Sequence, residues 1–452
     1  MLVIILSLVS TSWAQNFVQS PKLNRSALDL NEWWGPPGMI QDESIRPAKI
    51  LFDDEMIKDL QYRLRNHITF QPPLEGAGFT YGFNSDALPD WLSYWAEEYP
   101  FKQREEFLNQ FPQYKTNIQG LDIHFIWVRQ PPTHKEVVPL LLLHGWPGSI
   151  REFYEMIPMV TADDDSRDFV VEVIVPCLPG FGFSGAATRP GLGGGQIAVL
   201  FRNLMHRLGY TKYYLQGGDW GGIINSFMAV LFPREVLGYH TNWGVVPSRE
   251  ALGLTLVGAV FPHLVIPPEL ASRLYPLTEK LAFLIEETGY FHELATKPDT
   301  VGIAMTDSPA GLLAYILEKF SSGVNVANKV LPDGGLQNNF TREQLVDNLM
   351  MYWGMRSFTT AARIYAETAN RKHSAVGLEG ASTKVPTWVV QAKNEFTYQP
   401  PKILSLKYRN LLNTTVLDFG GHFLALEHPQ VLTCSVFEAL EAFRRWHRNN
   451  VE

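Results

Sequence analysis

From about residue 119 the chain alternates short apolar runs with amphipathic stretches, a pattern that predicts strands and helices in turn. LDIHFIWV, residues 121–128, alternates as a half-buried strand does. VVPLLLLHGWPG, residues 137–148, is a continuous apolar run closed by Gly and Pro, the pattern of a parallel strand buried on both faces and of its loop. FVVEVIVPCLPGFGFS repeats that plan, QIAVLFRNLMHRLGY has helical spacing up to Gly209, and KYYLQGGDWGGIINSFMAVLFP reads as strand, turn and helix. Between about 245 and 375 the strand signals fade, and three long segments carry helical spacing. Strand-then-loop patterns return in KVPTWVVQAKNEF and NTTVLDFGGHFLALEHP, and VFEALEAFRRWHRN closes the chain as a helix. The expected fold is α/β: a parallel sheet covered by helices on both faces and interrupted by a helical insertion over its strand ends.

The first 118 residues follow no such alternation. DDEMIKDLQYRLRN predicts a helix, capped by Asp53 or Asp54, with Met56, Leu60 and Leu64 along one face. WWGPPG at 33–38 is a loop whose tryptophans are expected to pack against the domain. MLVIILSLVSTSWAQ is apolar from residue 2 to about residue 9 and then small and polar. It has no basic start, and its apolar run falls short of the roughly 20 residues of a full membrane span. A cleaved signal, with Ser12 and Ala14 at the positions a peptidase reads, and a short membrane anchor are both open. A buried N-terminal strand is the blander third reading. Three N-x-S/T tripeptides, at Asn24, Asn339 and Asn413, are compatible with a lumenal chain.

Composition narrows the class. Of 452 residues 46% are apolar and 19% charged, which fits a packed globular chain and excludes a disordered one. The net charge is only −8 and no Lys/Arg-rich run stands out, so nucleic acid is not an expected partner. The two cysteines, Cys177 and Cys434, form neither a disulfide framework nor a zinc site, although the two alone leave one pairing open. Cys177 follows an apolar run and is expected in the core.

Ligands of parallel sheets bind beyond the carboxyl ends of the strands, and the candidate chemistry falls there. LQGGDWGGI has the form of a nucleophile elbow, with Asp219 where serine is commonest. The plainer reading of Asp219 is a cap for the helix that follows. Late in the chain His422, flanked by glycines, is the candidate base. Glu395, just past a predicted strand, is ranked above Asp418 and Glu427 as the acid that orients it, since those two lie too close to His422 in sequence to reach its outer nitrogen. A carboxylate is already ionised at neutral pH and suits displacement at an sp³ carbon, giving an ester on the enzyme that the histidine then hydrolyses with water. Backbone N–H groups of Trp220 and Trp146 are the expected oxyanion donors. Epoxides and alkyl halides both fit such a site. An epoxide needs a proton donor, for which Tyr290 and Tyr365 in the helical insertion are candidates, each equally readable as an ordinary half-buried tyrosine. A haloalkane dehalogenase would use the Trp220 indole to hold the halide.

WWGPPG, SIRPAKI, YGFNSDALPDWLSYW, GLDIHFIWV, HGWPGS, QGGDWGG, TKPDTVG, DSPAGLLAYILEKFS and GGHF together resemble the microsomal-type epoxide hydrolases, the insect juvenile hormone epoxide hydrolases in particular, over nearly the whole chain. The resemblance implies an α/β-hydrolase fold with an N-terminal wrapping region and a helical lid. The pattern along the chain gives a signal or anchor (1–30), an N-terminal wrapping region (31–118), a first core segment (119–244), the lid (245–375) and a second core segment (376–452), and the resemblance implies wrapping by about 35–145 and a lid at 245–375. It implies Asp219 as nucleophile, His422 as base, Glu395 as its acid, Tyr290 and Tyr365 as ring-polarising donors, Trp146 as an oxyanion donor, and a cis bond between Trp146 and Pro147. It implies a lipophilic epoxide and water as reactants, with no metal or organic cofactor, and attachment to the endoplasmic reticulum membrane, or secretion if the short leader is cleaved. A silent α/β-hydrolase that only binds a hormone or lipid is the rival from another class, but a binder has no use for a nucleophile, a base and two acids together.

Overall fold

A computed structural model describes residues 22–450, so the leader reading of residues 1–14 lies outside the described residues. Nine strands form one sheet: β1 (Arg46–Ala48), β2 (Gln113–Ile118), β3 (Leu121–Val128), β4 (Glu136–Leu143), β5 (Phe169–Pro176), β6 (Tyr213–Gly217), β7 (Val236–Thr241), β8 (Thr383–Gln391) and β9 (Tyr408–Val416). Their order is β1-β2-β3-β5-β4-β6-β7-β8-β9. From β5 to β9 every neighbouring pair is parallel, whereas β1, β2 and β3 run antiparallel to their neighbours. Every residue of β5 and β6 is buried, as expected of strands covered on both faces.

The N-terminal region adds to the sheet itself through β1 and β2. QYKTNI is too polar to stand out as a strand, and what builds it is the turn that follows. Ile118 pairs with Leu121 across Gln119 and Gly120, both at positive φ (51° and 84°), a two-residue hairpin whose twist matches the strands. The strand β7 was equally obscure in the pattern, since Gly238 interrupts VLGYHT. A side chain there would run into the Phe443 ring, so close packing of the final helix against the sheet demands the glycine.

The first long helix is Asp54–Arg65, capped by the Asp53 side chain, with Leu60 and Leu64 buried. Trp34 of the WWGPPG loop is buried, and its N–H donates to the Gln119 carbonyl at 2.8 Å. The final helix begins at Pro429, a full turn and more before the predicted start, and runs to Asn449. Cys177 is buried and Cys434 exposed, and both are free thiols, so the pairing left open by sequence does not form.

Between β7 and β8 the described chain is helical, from Arg249–Val260 to Arg371–Ser374. One of these helices, Arg342–Trp353, clamps the loop after β4. Asn348 donates to the Pro147 carbonyl at 2.8 Å and accepts from the Ser149 hydroxyl at 2.7 Å, while the Tyr352 hydroxyl donates to the Gly148 carbonyl. The fully buried Asp347 on the same helix accepts from Arg104, Arg151 and the Tyr99 hydroxyl, tying three separate parts of the chain together.

Candidate active site

Asp219 ends the turn after β6 and begins the helix Asp219–Leu231. Its φ of 48° is left-handed, a conformation that costs energy outside glycine and persists only where packing imposes it. The packing is plain: a side chain on Gly221 would collide with the Leu143 carbonyl, so helix and strand meet at backbone contact. Gly218, not Asp219, is the N-cap of the helix. The Asp219 carboxylate turns away from the helix, and its Oδ1 accepts the Trp146 N–H at 2.8 Å.

The loop carrying Trp146 is fixed from within by His144. Its Nδ1 donates to the Gly145 carbonyl at 2.9 Å and its Nε2 accepts from the Leu178 N–H at 3.1 Å. Burial holds this imidazole neutral, with its pKa lowered to about 4. The Trp146–Pro147 bond is cis.

His422 faces Asp219 from the loop after β9, its Nε2 3.4 Å from Oδ2. Its Nδ1 donates to Glu395, 2.9 and 3.0 Å from the two carboxylate oxygens. The loops bearing the two residues are laced together, Lys393 N–H to the Phe419 carbonyl and Asn394 N–H to the Gly420 carbonyl, each at 3.0 Å. Burial alone would lower the His422 pKa, but the Glu395 charge and the hydrogen bonds to Asp219 and Glu395 outweigh it and hold it well above the ordinary value. Asp418 is exposed, and Glu395 is the carboxylate on Nδ1. Glu427 instead accepts the Gly421 N–H at 2.9 Å, and burial pushes its pKa up to about 8.

The helical insertion supplies the opposite wall. The ring of Tyr290 (helix Gly289–Thr296) stacks on Trp146, centroids 5.5 Å apart. Tyr365 (helix Phe358–Thr368) meets Trp146 edge-on at 5.5 Å and Trp220 edge-on at 4.8 Å. The two tyrosine rings lie 6.3 Å apart. Burial, reinforced for both by the Asp219 charge, raises both phenol pKa values, so both rings carry their protons at neutral pH. Trp220 is the second residue of its helix, so its backbone N–H has no partner within the helix. Its indole packs against Tyr365.

The structure thus brings Asp219, His422, Glu395, Trp146, Trp220, Tyr290 and Tyr365 into one site. Sequence reasoning passed over Glu152 and Asn242, which line a small pocket with Asp219 and His422. Glu152 falls only three residues beyond HGWPGS, and nothing in its local pattern separates it from a surface carboxylate.

Residues 45–153 match the family described as epoxide hydrolase N terminus, and residues 138–250 match the alpha/beta hydrolase fold. The chain is 55% identical to juvenile hormone epoxide hydrolase of Bombyx mori over 92% of its own length and 91% of that protein. It is 42% identical to epoxide hydrolase 1 of Oryctolagus cuniculus, over 88% and 90% of the two chains. The crystal structure of the silkworm juvenile hormone epoxide hydrolase superposes with a TM-score of 0.92, covering 93% of this chain and all of that one. These likenesses decide for epoxides over alkyl halides, and for an enzyme over a silent binder. The chain belongs to the microsomal-type epoxide hydrolases and is an epoxide hydrolase of the α/β-hydrolase fold.

Proposed function

We propose that this chain hydrolyses lipophilic epoxides, juvenile hormone among them, to vicinal diols through an ester on Asp219. The observation that carries the mechanism is the line Asp219–His422–Glu395, with one Asp219 oxygen already on the Trp146 N–H. Tyr290 and Tyr365 donate to the epoxide oxygen as the free carboxylate oxygen of Asp219 attacks a ring carbon. One tyrosine gives up its proton, and the ring-opened alcohol stays esterified to Asp219. Esterification removes the Asp219 charge that helps raise the His422 pKa, and the imidazole then takes a proton from water, which attacks the Asp219 carbonyl carbon. Charge developing on the carbonyl oxygen falls to the Trp146 and Trp220 N–H groups. The scheme requires no metal or organic cofactor.

Juvenile hormone as substrate rests on the silkworm enzyme's name at 55% identity and on the aromatic lining, where Tyr315 and Phe358 also pack edge-on against Trp146. The helical stretch 245–375 acts as the lid. The apolar residues 2–9 attach the chain to the endoplasmic reticulum membrane, and the exposed Asn24, Asn339 and Asn413 suit a lumenal face. Cleavage after Ala14 would release the chain for secretion instead. Alkaline extraction of microsomes, with the mature N-terminus sequenced, separates the two.

The mechanism is tested by a single turnover, enzyme in excess over an apolar epoxide, in water enriched in oxygen-18. Unlabelled diol with the label in the peptide containing Asp219 is expected. Labelled diol from the first turnover would mean direct attack by water and would remove Asp219 as nucleophile.

A further inference from the structure

Glu152 lies in the short turn Ile150–Phe153, directly after the loop that holds Asp219. Its side chain folds back beneath that loop: a side chain on Gly148 would overlap Glu152 Oε1, so the glycine leaves the space the carboxyl occupies. The carboxyl lies against the backbone of Gly145 and Ser149, while the Trp146 N–H serves Asp219. One loop therefore lies against two different carboxyl groups. Both face one small pocket, together with His422, Asn242, Gly218 and Phe423. Among the described residues no cation forms an ion pair with Glu152. Burial pushes its pKa up to about 8, with the His422 charge opposing and the Asp219 charge adding to the rise.

A sequestered carboxyl without a countercharge is costly, and the chemistry proposed above gives Glu152 no task. The polar side chains of Glu152, Asp219, Asn242 and His422 all line this pocket, the setting in which proteins retain water.

We infer that Glu152 is a positioning residue which, opposite His422, holds the water that cleaves the Asp219 ester. The inference rests on the ester mechanism proposed above. A water donating one hydrogen to Glu152 and the other to His422 Nε2 presents its lone pair to the Asp219 carbonyl carbon. As the C–O bond forms, that water's O–H bond breaks and its proton passes to Nε2. Collapse of the adduct breaks the ester C–O bond, and the same proton moves to the departing alkoxide, completing the diol. The acid proton left on Asp219 restores the tyrosine that protonated the ring oxygen.

The test is rapid chemical quench of the purified full chain with an apolar epoxide, following the Asp219 ester by intact mass. Glu152→Leu, Glu152→Gln and His422→Gln are compared with the parent. The ester should form at the parent rate in both Glu152 variants. Its hydrolysis should slow about tenfold or more in Glu152→Leu, and less in Glu152→Gln, whose amide still accepts a hydrogen bond. Hydrolysis at the parent rate in Glu152→Leu would overturn the inference. So would equal slowing of both steps in both variants, the mark of a merely structural role. Neither result touches the ester mechanism, provided His422→Gln accumulates the adduct. Absence of the adduct from His422→Gln would instead overturn that mechanism, and this inference with it.

Discussion

A side chain on Gly145 would overlap Oδ1 of Asp219 and lie 2.7 Å from its carboxyl carbon. Gly145 and Asp219 come from opposite sides of the site, one after β4 and one after β6, and their contact sets where the carboxylate stands. Gly145→Ala is therefore expected to displace Asp219 rather than unfold the sheet. A shift of about 1 Å at a reacting atom costs about 100-fold in rate. Circular dichroism and melting should stay near the parent while kcat/KM for an apolar epoxide falls by about that factor. Unchanged turnover would show that the contact does not position the nucleophile.

Removing the phenol hydroxyls tests ring opening separately. Tyr290→Phe and Tyr365→Phe each leave the ring contact with Trp146 in place and delete one donor. Each single variant should retain part of the alkylation rate, because the other tyrosine still protonates the oxygen. The double variant should lose about 10²-fold to 10⁴-fold, the range ascribed to a positioned general acid. Single-turnover ester formation is the measurement, and a double variant near the parent rate would clear both tyrosines of the role.

The long apolar runs at 137–143 and 169–176 announced the sheet, because a strand buried on both faces must be apolar throughout. The strands β1 and β2 hid because they depend on a hairpin turn and on partners distant in sequence, not on their own composition. The choice of Glu395 over Glu427 was legible only as a matter of reach. What decides the geometry is the pairing of residues 393–394 with 419–420, which no local pattern reveals. Glu152 was invisible for a related reason: what sets it apart is its place in one pocket with Asp219 and His422, which only the folded chain creates.

The charge around His422 leads to a pH prediction. Glu395 and Asp219 raise the folded-state pKa of His422 above its unfolded value despite burial. A raised pKa adds stability that is fully present below the unfolded pKa and is lost as pH rises through the folded one. Glu395→Gln removes the larger of the two charge effects, so the parent's advantage over this variant should shrink across that alkaline window. Melting temperatures measured from neutral to alkaline pH would show it, and parallel curves would contradict it. The same substitution leaves the imidazole without its anionic partner, and ester hydrolysis should slow by about 10²-fold or more.

Asp347 offers a prediction about stability away from the reacting atoms. Its carboxylate is fully buried and accepts charged hydrogen bonds from Arg104 and Arg151, besides the Tyr99 hydroxyl. Arg151 is itself almost completely buried, so its charge depends on Asp347 and on Glu155 for compensation. Asp347→Asn keeps the shape but leaves the two guanidinium groups short of one negative charge. Breaking a buried pair by removing one partner costs about 3–5 kcal/mol. Denaturant unfolding should show a loss of that order, since the linked segments belong to the N-terminal region, the loop after β4 and the helical insertion. Because the helix Arg342–Trp353 also clamps that loop through Asn348 and Tyr352, the surviving folded fraction should turn over epoxide at close to the parent kcat. A large fall in kcat with stability unchanged would instead place Asp347 among the groups that tune the site.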